Sequence, residues 1–237
     1  MDGIFYIASG KKYINEAVQS IKRVREVMPN IPIALCSDIE LNKDIYVDYY
    51  IELESPRYNF ADKVCNYAKS PFDNTLFLDT DTYLVDSVET IFDLLKRFDI
   101  AAPHAPIEED DYVDITDAFP EMNSGVIAYR KNSATDLFFD IYERHYLRSL
   151  KSEMEKYNLV PPDQPSFRYA LFNSNVTLSF LPHEYNCMVD YPCFLSNRVH
   201  ILHGHYSIED MKTKEKIINE ETDCRLYSPS LGMIYER

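Results

Sequence analysis

Tryptophan is absent from the 237 residues and glycine occurs only 5 times. No apolar run approaches the roughly 18 residues that a membrane-spanning helix requires. So little glycine argues against a fibrous or disordered chain. The five cysteines, at 36, 65, 187, 193 and 224, are odd in number and include no Cys-x-x-Cys pair. Neither a disulfide framework nor a structural zinc site is indicated, and reduced thiols are expected. The N-terminus runs from Met1-Asp2-Gly3 into Ile4-Phe5-Tyr6-Ile7-Ala8 without the basic start and long apolar stretch of a secretory signal. The expectation is a cytoplasmic protein with no membrane span. Positive charge is short as well: the formal net charge is -15. That argues against nucleic acid or an anionic membrane as a partner, and a phosphorylated ligand would need a cation to offset the field.

What the chain does have is a core. Hydrophobic residues make up 46% and aromatics 14%, with 19 tyrosines, enough for one α/β domain over 1–237. Short apolar runs predict strands over 3–8, 31–36, 45–53, 74–85, 100–103, 122–130, 176–181 and 198–205. Helical spacing of apolar residues marks 13–28, 59–69 and 88–98, a long helix after Ser133, which can cap it, and 166–172. Strand and helix alternate through the first hundred residues, the βαβ pattern of a mostly parallel sheet flanked by helices. Residues 107–121 are acidic and aperiodic and read as a solvated loop or a lid.

The run Asn74-Thr75-Leu76-Phe77-Leu78 ends in two acids one residue apart, Asp79 and Asp81. Ligands of open α/β sheets sit at the carboxyl ends of the strands. Paired carboxylates there suit Mg2+ or Mn2+ bound together with substrate phosphates; an Asp-rich turn is the plain alternative. Asp38, at the end of the second strand, is placed to grip a ribose hydroxyl or to cap a helix. Lys63 lies on the helix before the acids, able to reach a phosphate or to stay solvated. Gly125 lets a ligand approach the backbone, or makes a turn. Asp163 and Gln164 open a helix after Pro161-Pro162; capping explains Asp163, whereas the Gln164 amide could sit against a sugar. Among the late histidines, His203 and His205 share one strand face and His200 takes the other.

Taken in order, Phe77-Leu78-Asp79-Thr80-Asp81, Met122-Asn123-Ser124-Gly125-Val126, Asp163-Gln164, Leu181-Pro182-x-x-Tyr185-Asn186 and Leu202-His203-Gly204 resemble the nucleotide-sugar glycosyltransferases of the GT-A fold. The group they resemble is glycosyltransferase family 8, the glycogenin-like enzymes. The resemblance implies a single GT-A domain, with a nucleotide-binding part over about 1–105 and an acceptor and donor-sugar part over about 106–237. It implies a metal, Mn2+ or Mg2+, held by Asp79, Asp81 and His203 against the diphosphate of a donor that is often UDP-linked. Ala8 and Ser9 would line the base pocket and Asp38 would meet the uridine. Lys63 would approach the diphosphate, Asn123, Ser124 and Gly125 would contact the donor, and Asp163 and Gln164 would sit at the sugar in a catalytic arrangement that leans toward retention. Where the family continues into Gly and Lys-Pro-Trp, this chain has His203-Gly204-His205-Tyr206-Ser207, so His205 would replace the lysine at the phosphate. The acceptor, whether glycan, protein or small molecule, is left open. Two other readings stay beside this one: a sugar-nucleotide or glycan-binding protein without turnover, and a haloacid-dehalogenase-type phosphatase. The second wants Thr or Val where this chain has Tyr83.

Overall fold

In a computed structural model, which describes residues 1–41, 47–107 and 115–235, the chain forms a three-layer α/β fold. In order the elements are β1 (Asp2–Ala8), α1 (Gly10–Val27), β2 (Ile33–Ser37), β3 (Tyr49–Glu52), α2 (Phe60–Val64), β4 (Asn74–Leu78), β5 (Thr82–Leu84), α3 (Thr90–Leu94), β6 (Ile100–Pro103) and β7 (Val126–Arg130). They continue with α4 (Ser133–Tyr157), α5 (Gln164–Phe172), β8 (Leu178–Leu181), β9 (Cys187–Met188), β10 (Cys193–Leu195), β11 (Ile201–His203), α6 (Ile208–Ile218), β12 (Arg225–Ser228) and β13 (Gly232–Tyr235).

The central sheet has seven strands in the order β3-β2-β1-β4-β7-β6-β8. All neighbours are parallel except those of β7, which runs against both β4 and β6. β1 is buried on both faces, which is why it reads as an unbroken apolar run rather than an alternating one. Ile4, Tyr6 and Ala8 face α1 and α3, whereas Phe5 and Ile7 face the layer of α2, α4 and α5. In that second layer Tyr67 packs among Phe77, Tyr129, Phe139 and Tyr142, so aromatic mass does much of what glycine-poor helix packing cannot.

Residues 74–85 do not form one strand. The Thr82 amide (3.2 Å) and hydroxyl (2.7 Å) both donate to the Asp79 carbonyl. That tight turn sends β5 into a second, three-stranded sheet, β5-β11-β9. Three smaller expectations also change. Asn132, not Ser133, caps α4: its side chain accepts from the Ala134 and Thr135 amides while Thr135 reaches back to the Asn132 amide, a reciprocal pair of caps. The third strand is short, and 42–46 lie outside the described residues, as do 108–114 of the acidic segment. The end of that segment is anchored rather than wholly solvated: Thr116, Asp117 and Ala118 are exposed, but Ile115 and Glu121 are buried, and the Phe119 carbonyl accepts two bonds from Arg168.

Asp99 joins β6, β7, α4 and the approach to β8. Its carboxylate accepts from Arg130 Nε (2.9 Å) and Nη2 (2.8 Å), Asn132 Nδ2 (2.8 Å), and the Thr177 amide (2.8 Å) and hydroxyl (2.7 Å). Burial alone would raise its pKa, but these donors hold it well below the usual carboxylate range. A depressed folded-state pKa adds stability above the unfolded value of about 4 and loses it as pH falls through the folded one. Urea unfolding from neutral to acid pH is expected to show Asp99→Asn weaker than wild type by about 2 kcal/mol at pH 7, with the gap shrinking as the pH drops below about 4. A pH-independent gap would assign the loss to packing instead.

Candidate active site

The site forms where β1, β4 and β11 end and the antiparallel β7 begins. Asp79 leaves β4 with its amide tied to the Gly125 carbonyl at 2.8 Å. The Asp81 carbonyl is tied to the Gly204 amide at 3.1 Å. Antiparallel pairing of β5 with β11 sets His203 opposite Thr82, which brings the late histidine to the two acids. One ligand atom from each of Asp79, Asp81 and His203 lies within 4.8 Å of the others.

His203 Nε2 is 3.3 Å from Asp81 Oδ1, and its Nδ1 is 2.8 Å from Asn186 Oδ1. Two carboxylates and an imidazole whose far nitrogen is already occupied form a donor set suited to a divalent cation. Gly125 keeps the space open: a Cβ there would lie 2.4 Å from His203 Cε1 and 2.8 Å from Asp79 Oδ2. The residues therefore fit a metal. The acids differ electrostatically. Burial, with Asp81 and Asp163 nearby, pushes the Asp79 carboxyl up despite Lys63. For Asp81, burial is overcome by His203 and His205, which hold it well below the usual range.

Lys63 is buried between acids, its Nζ 3.0 Å from Asp163 Oδ2, 3.3 Å from Asp79 Oδ1 and 3.4 Å from Ser124 Oγ. Burial disfavours its ammonium, yet Asp163 and Asp79 raise the pKa above the ordinary lysine value. Asp163 stands at the start of α5 but makes no side-chain cap; its carboxylate takes Lys63 and the Tyr142 hydroxyl, the latter at 2.5 Å. Gln164 is bonded to Asn123 and to Glu121. His205, largely exposed, points Nδ1 at Asp81 Oδ2 and Glu16 Oε1, 3.5 Å from each. His200 faces the other way, stacked on Tyr185 and bonded to the Ser87 carbonyl.

Beside the triad opens a cavity of about 340 Å³, lined by Ala8, Ser9, Lys63, Asp79, Asp81 and His205 together with Tyr13, Tyr58, Phe60 and Val160. Asp38 does not line it; its carboxylate accepts from the Gly10 amide at 2.9 Å at the start of α1. Asn123, Ser124, Gly125, Asp163 and Gln164 lie behind the acids instead. Sequence reasoning overlooks Glu121, hidden in an acidic run, and gives Asn186 no role. It also overlooks the aromatic wall of Tyr13, Tyr58 and Phe60.

Residues 52–218 match the model of a family described as nucleotide-diphospho-sugar transferases. The chain belongs to that family. The transferase has no match among curated proteins. Among solved structures it is similar to the galactosyltransferase LgtC in complex with donor and acceptor sugar analogs: 15% identity, TM-score 0.54, with 87% of each chain covered. It is also similar to the glycosyltransferase GlyE of Streptococcus pneumoniae TIGR4, at 14% identity and TM-score 0.58, covering 80% of this transferase and 48% of GlyE. Mouse xyloside xylosyltransferase 1 matches at 11% identity and TM-score 0.56, covering 86% of this chain and 98% of that one. These likenesses establish the GT-A fold expected from the sequence. Among the described residues no helix is long and apolar enough to cross a membrane.

Proposed function

We propose that this transferase moves a sugar, with retention, from a UDP-linked donor to a hydroxyl acceptor, using Mn2+ or Mg2+ bound by Asp79, Asp81 and His203. The observation that carries this reading is the convergence of those three side chains, two of which, Asp79 and Asp81, line the cavity, in a chain of the nucleotide-diphospho-sugar transferase family. The bound cation would supply Lewis-acid stabilisation of the charge that develops on the leaving diphosphate. The remaining roles belong to the chain. Ala8 and Ser9 form the cavity wall nearest the end of β1, and Tyr13 and Tyr58 offer ring faces on which a base can stack. Asp38, next to that wall, takes the uridine. Lys63 and His205 donate toward the phosphates, and Ser124 and Gly125 lie close to the donor. Residues 1–105 hold the nucleotide, and the rest forms the sugar and acceptor side.

Retention is favoured over inversion by what Asp163 is doing. An inverting enzyme needs a free carboxylate to take the acceptor proton. Asp163 is 3% exposed and committed to Lys63 and Tyr142, so its part at the sugar end, next to Gln164, is to hold Lys63 beside Asp79 rather than to take that proton.

Calorimetry of UDP with the protein, in Mn2+ and then in EDTA, tests the metal assignment. Binding is expected only with the cation, because the acidic site otherwise repels a diphosphate. Undiminished affinity in EDTA would overturn it. ADP, GDP and CDP in the same cell test the base.

A further inference from the structure

Five buried side chains form one continuous hydrogen-bonded line from the end of the acidic segment to the metal triad: Glu121, Gln164, Asn123, Asn186 and His203. None is more than 7% exposed. Gln164 Nε2 is 2.6 Å from Glu121 Oε1, and Asn123 Nδ2 is 2.9 Å from Gln164 Oε1. Asn186 Nδ2 is 3.1 Å from Asn123 Oδ1, and His203 Nδ1 is 2.8 Å from Asn186 Oδ1.

The direction of every link follows from one backbone group. The Gly125 amide lies 3.0 Å from the Asn123 side-chain oxygen, and a backbone N–H can only donate. Asn123 must therefore turn Oδ1 toward Gly125 and Asn186 and Nδ2 toward Gln164. On one side, Gln164 then offers Oε1 to Asn123 and hands Nε2 to the Glu121 carboxylate. On the other, Asn186 spends Nδ2 on Asn123 and presents Oδ1 to His203, so Nδ1 must carry the ring hydrogen. In the neutral ring Nε2 is then left with its lone pair on the side of Asp79 and Asp81. In a site closed to water each amide inherits its orientation from its neighbour.

We infer that Asn123 is a positioning residue, the hub that sets His203 in its metal-binding tautomer and fixes the Gln164 amide at the sugar side. The inference rests on the metal and sugar roles proposed above. It moves Asn123 from donor contact to support, since the amide oxygen takes two bonds and the nitrogen a third within the protein. It also gives Asn186 and Glu121 their work.

Three measurements test it. The first is the ¹⁵N shifts of the neutral His203 ring in the metal-free wild type at alkaline pH, which are expected to report the Nδ1–H form. An Nε2–H ring bonded to Asp81 would overturn the inference without any mutation. The second is a Mn2+ titration by electron paramagnetic resonance. Asn186→Leu is expected to lose about 10–100-fold in affinity, whereas Asn123→Asp should stay within a few-fold of wild type, because Asn186 keeps its acceptor.

The third is a rescue. Asn123→Asp cannot donate to Gln164, which must turn its oxygen toward the Glu121 carboxylate, and the melting temperature should fall. Adding Glu121→Gln supplies a donor to the turned amide and should restore most of that loss, while Glu121→Gln alone should be mild. A double variant no more stable than Asn123→Asp would overturn the chain. If wild type binds no Mn2+, the proposed function fails, but the ring tautomer and the rescue still decide the hydrogen-bonded line on their own.

Discussion

Asp81→Asn is expected to abolish metal-dependent sugar transfer while the protein still folds. The structural work at this position is done by the backbone, whose carbonyl accepts from the Gly204 amide, and asparagine retains it. The side chain faces the imidazoles of His203 and His205 at the edge of the site, not the apolar core. Because His203 and His205 hold the Asp81 carboxyl below its usual range, its charge is net stabilising in the metal-free protein, so the melting temperature in EDTA should fall modestly while the fold survives. What is lost is a hard anionic ligand aimed at the charge of the reaction. Removing one preorganised electrostatic partner of a transition state typically costs about 100–1,000-fold in turnover, and a direct ligand should reach at least that. A circular dichroism melt paired with a Mn2+-dependent assay of donor turnover decides the matter. An unfolded variant would make the acid structural, and full activity would make it idle.

Lys63→Met should produce the largest loss of stability in the site. The side chain is 10% exposed and lies within 3.0 Å of Asp163 and 3.3 Å of Asp79. Methionine keeps the apolar stem but takes the cation away from Asp79, one of the metal triad, and from Asp163 behind it. Breaking a buried ion pair from one side generally costs about 3–5 kcal/mol, because the remaining charge has neither water nor partner. In a chain of this size that corresponds to a fall in melting temperature on the order of 10 °C. The loss should be smaller in Mn2+ than in EDTA, since a cation beside Asp79 replaces part of the missing charge. It cannot be cancelled, because Asp163 keeps no such neighbour. A variant melting within about 2 °C of wild type in EDTA would show that Lys63 is not what holds these acids together.

Much of the frame is legible before any coordinates. The apolar runs of β1, β2 and β4 announce buried strands because both of their faces are covered. Asp79 and Asp81 stand out because two acids end such a run. His203 and His205 are separable from His200 because strand alternation puts neighbours on opposite faces. What sequence periodicity lacks is direction and partner. A period of two is the same for a parallel and an antiparallel strand, so nothing in Val126–Arg130 distinguishes β7 from its neighbours. The break at Asp79 is equally silent, since it depends on Thr82 folding back onto a carbonyl that any residue would supply. Glu121 is lost among six other acids of its segment, although among the described ones it is Glu121, not Asp117, that is held in the site. Asn186 reads as a polar corner because an amide's role is defined by what it meets.

The pairing of β5 with β11 gives the proposed metal a second meaning. Asp81 belongs to the first half of the chain and His203 to the last quarter, so the triad has no counterpart in an unfolded or partly made chain. The entropy of closing so long a loop is met by strand pairing and by the packing of Tyr83, Leu202 and their neighbours. An ion that binds only after that closure works as a clasp. At a hundred times its dissociation constant it would add about 2.7 kcal/mol to the folded state, concentrated where the C-terminal segments join the sheet. Loading with metal would then be legible as slower proteolysis of β9 to β13, even in a preparation that has never met a sugar nucleotide.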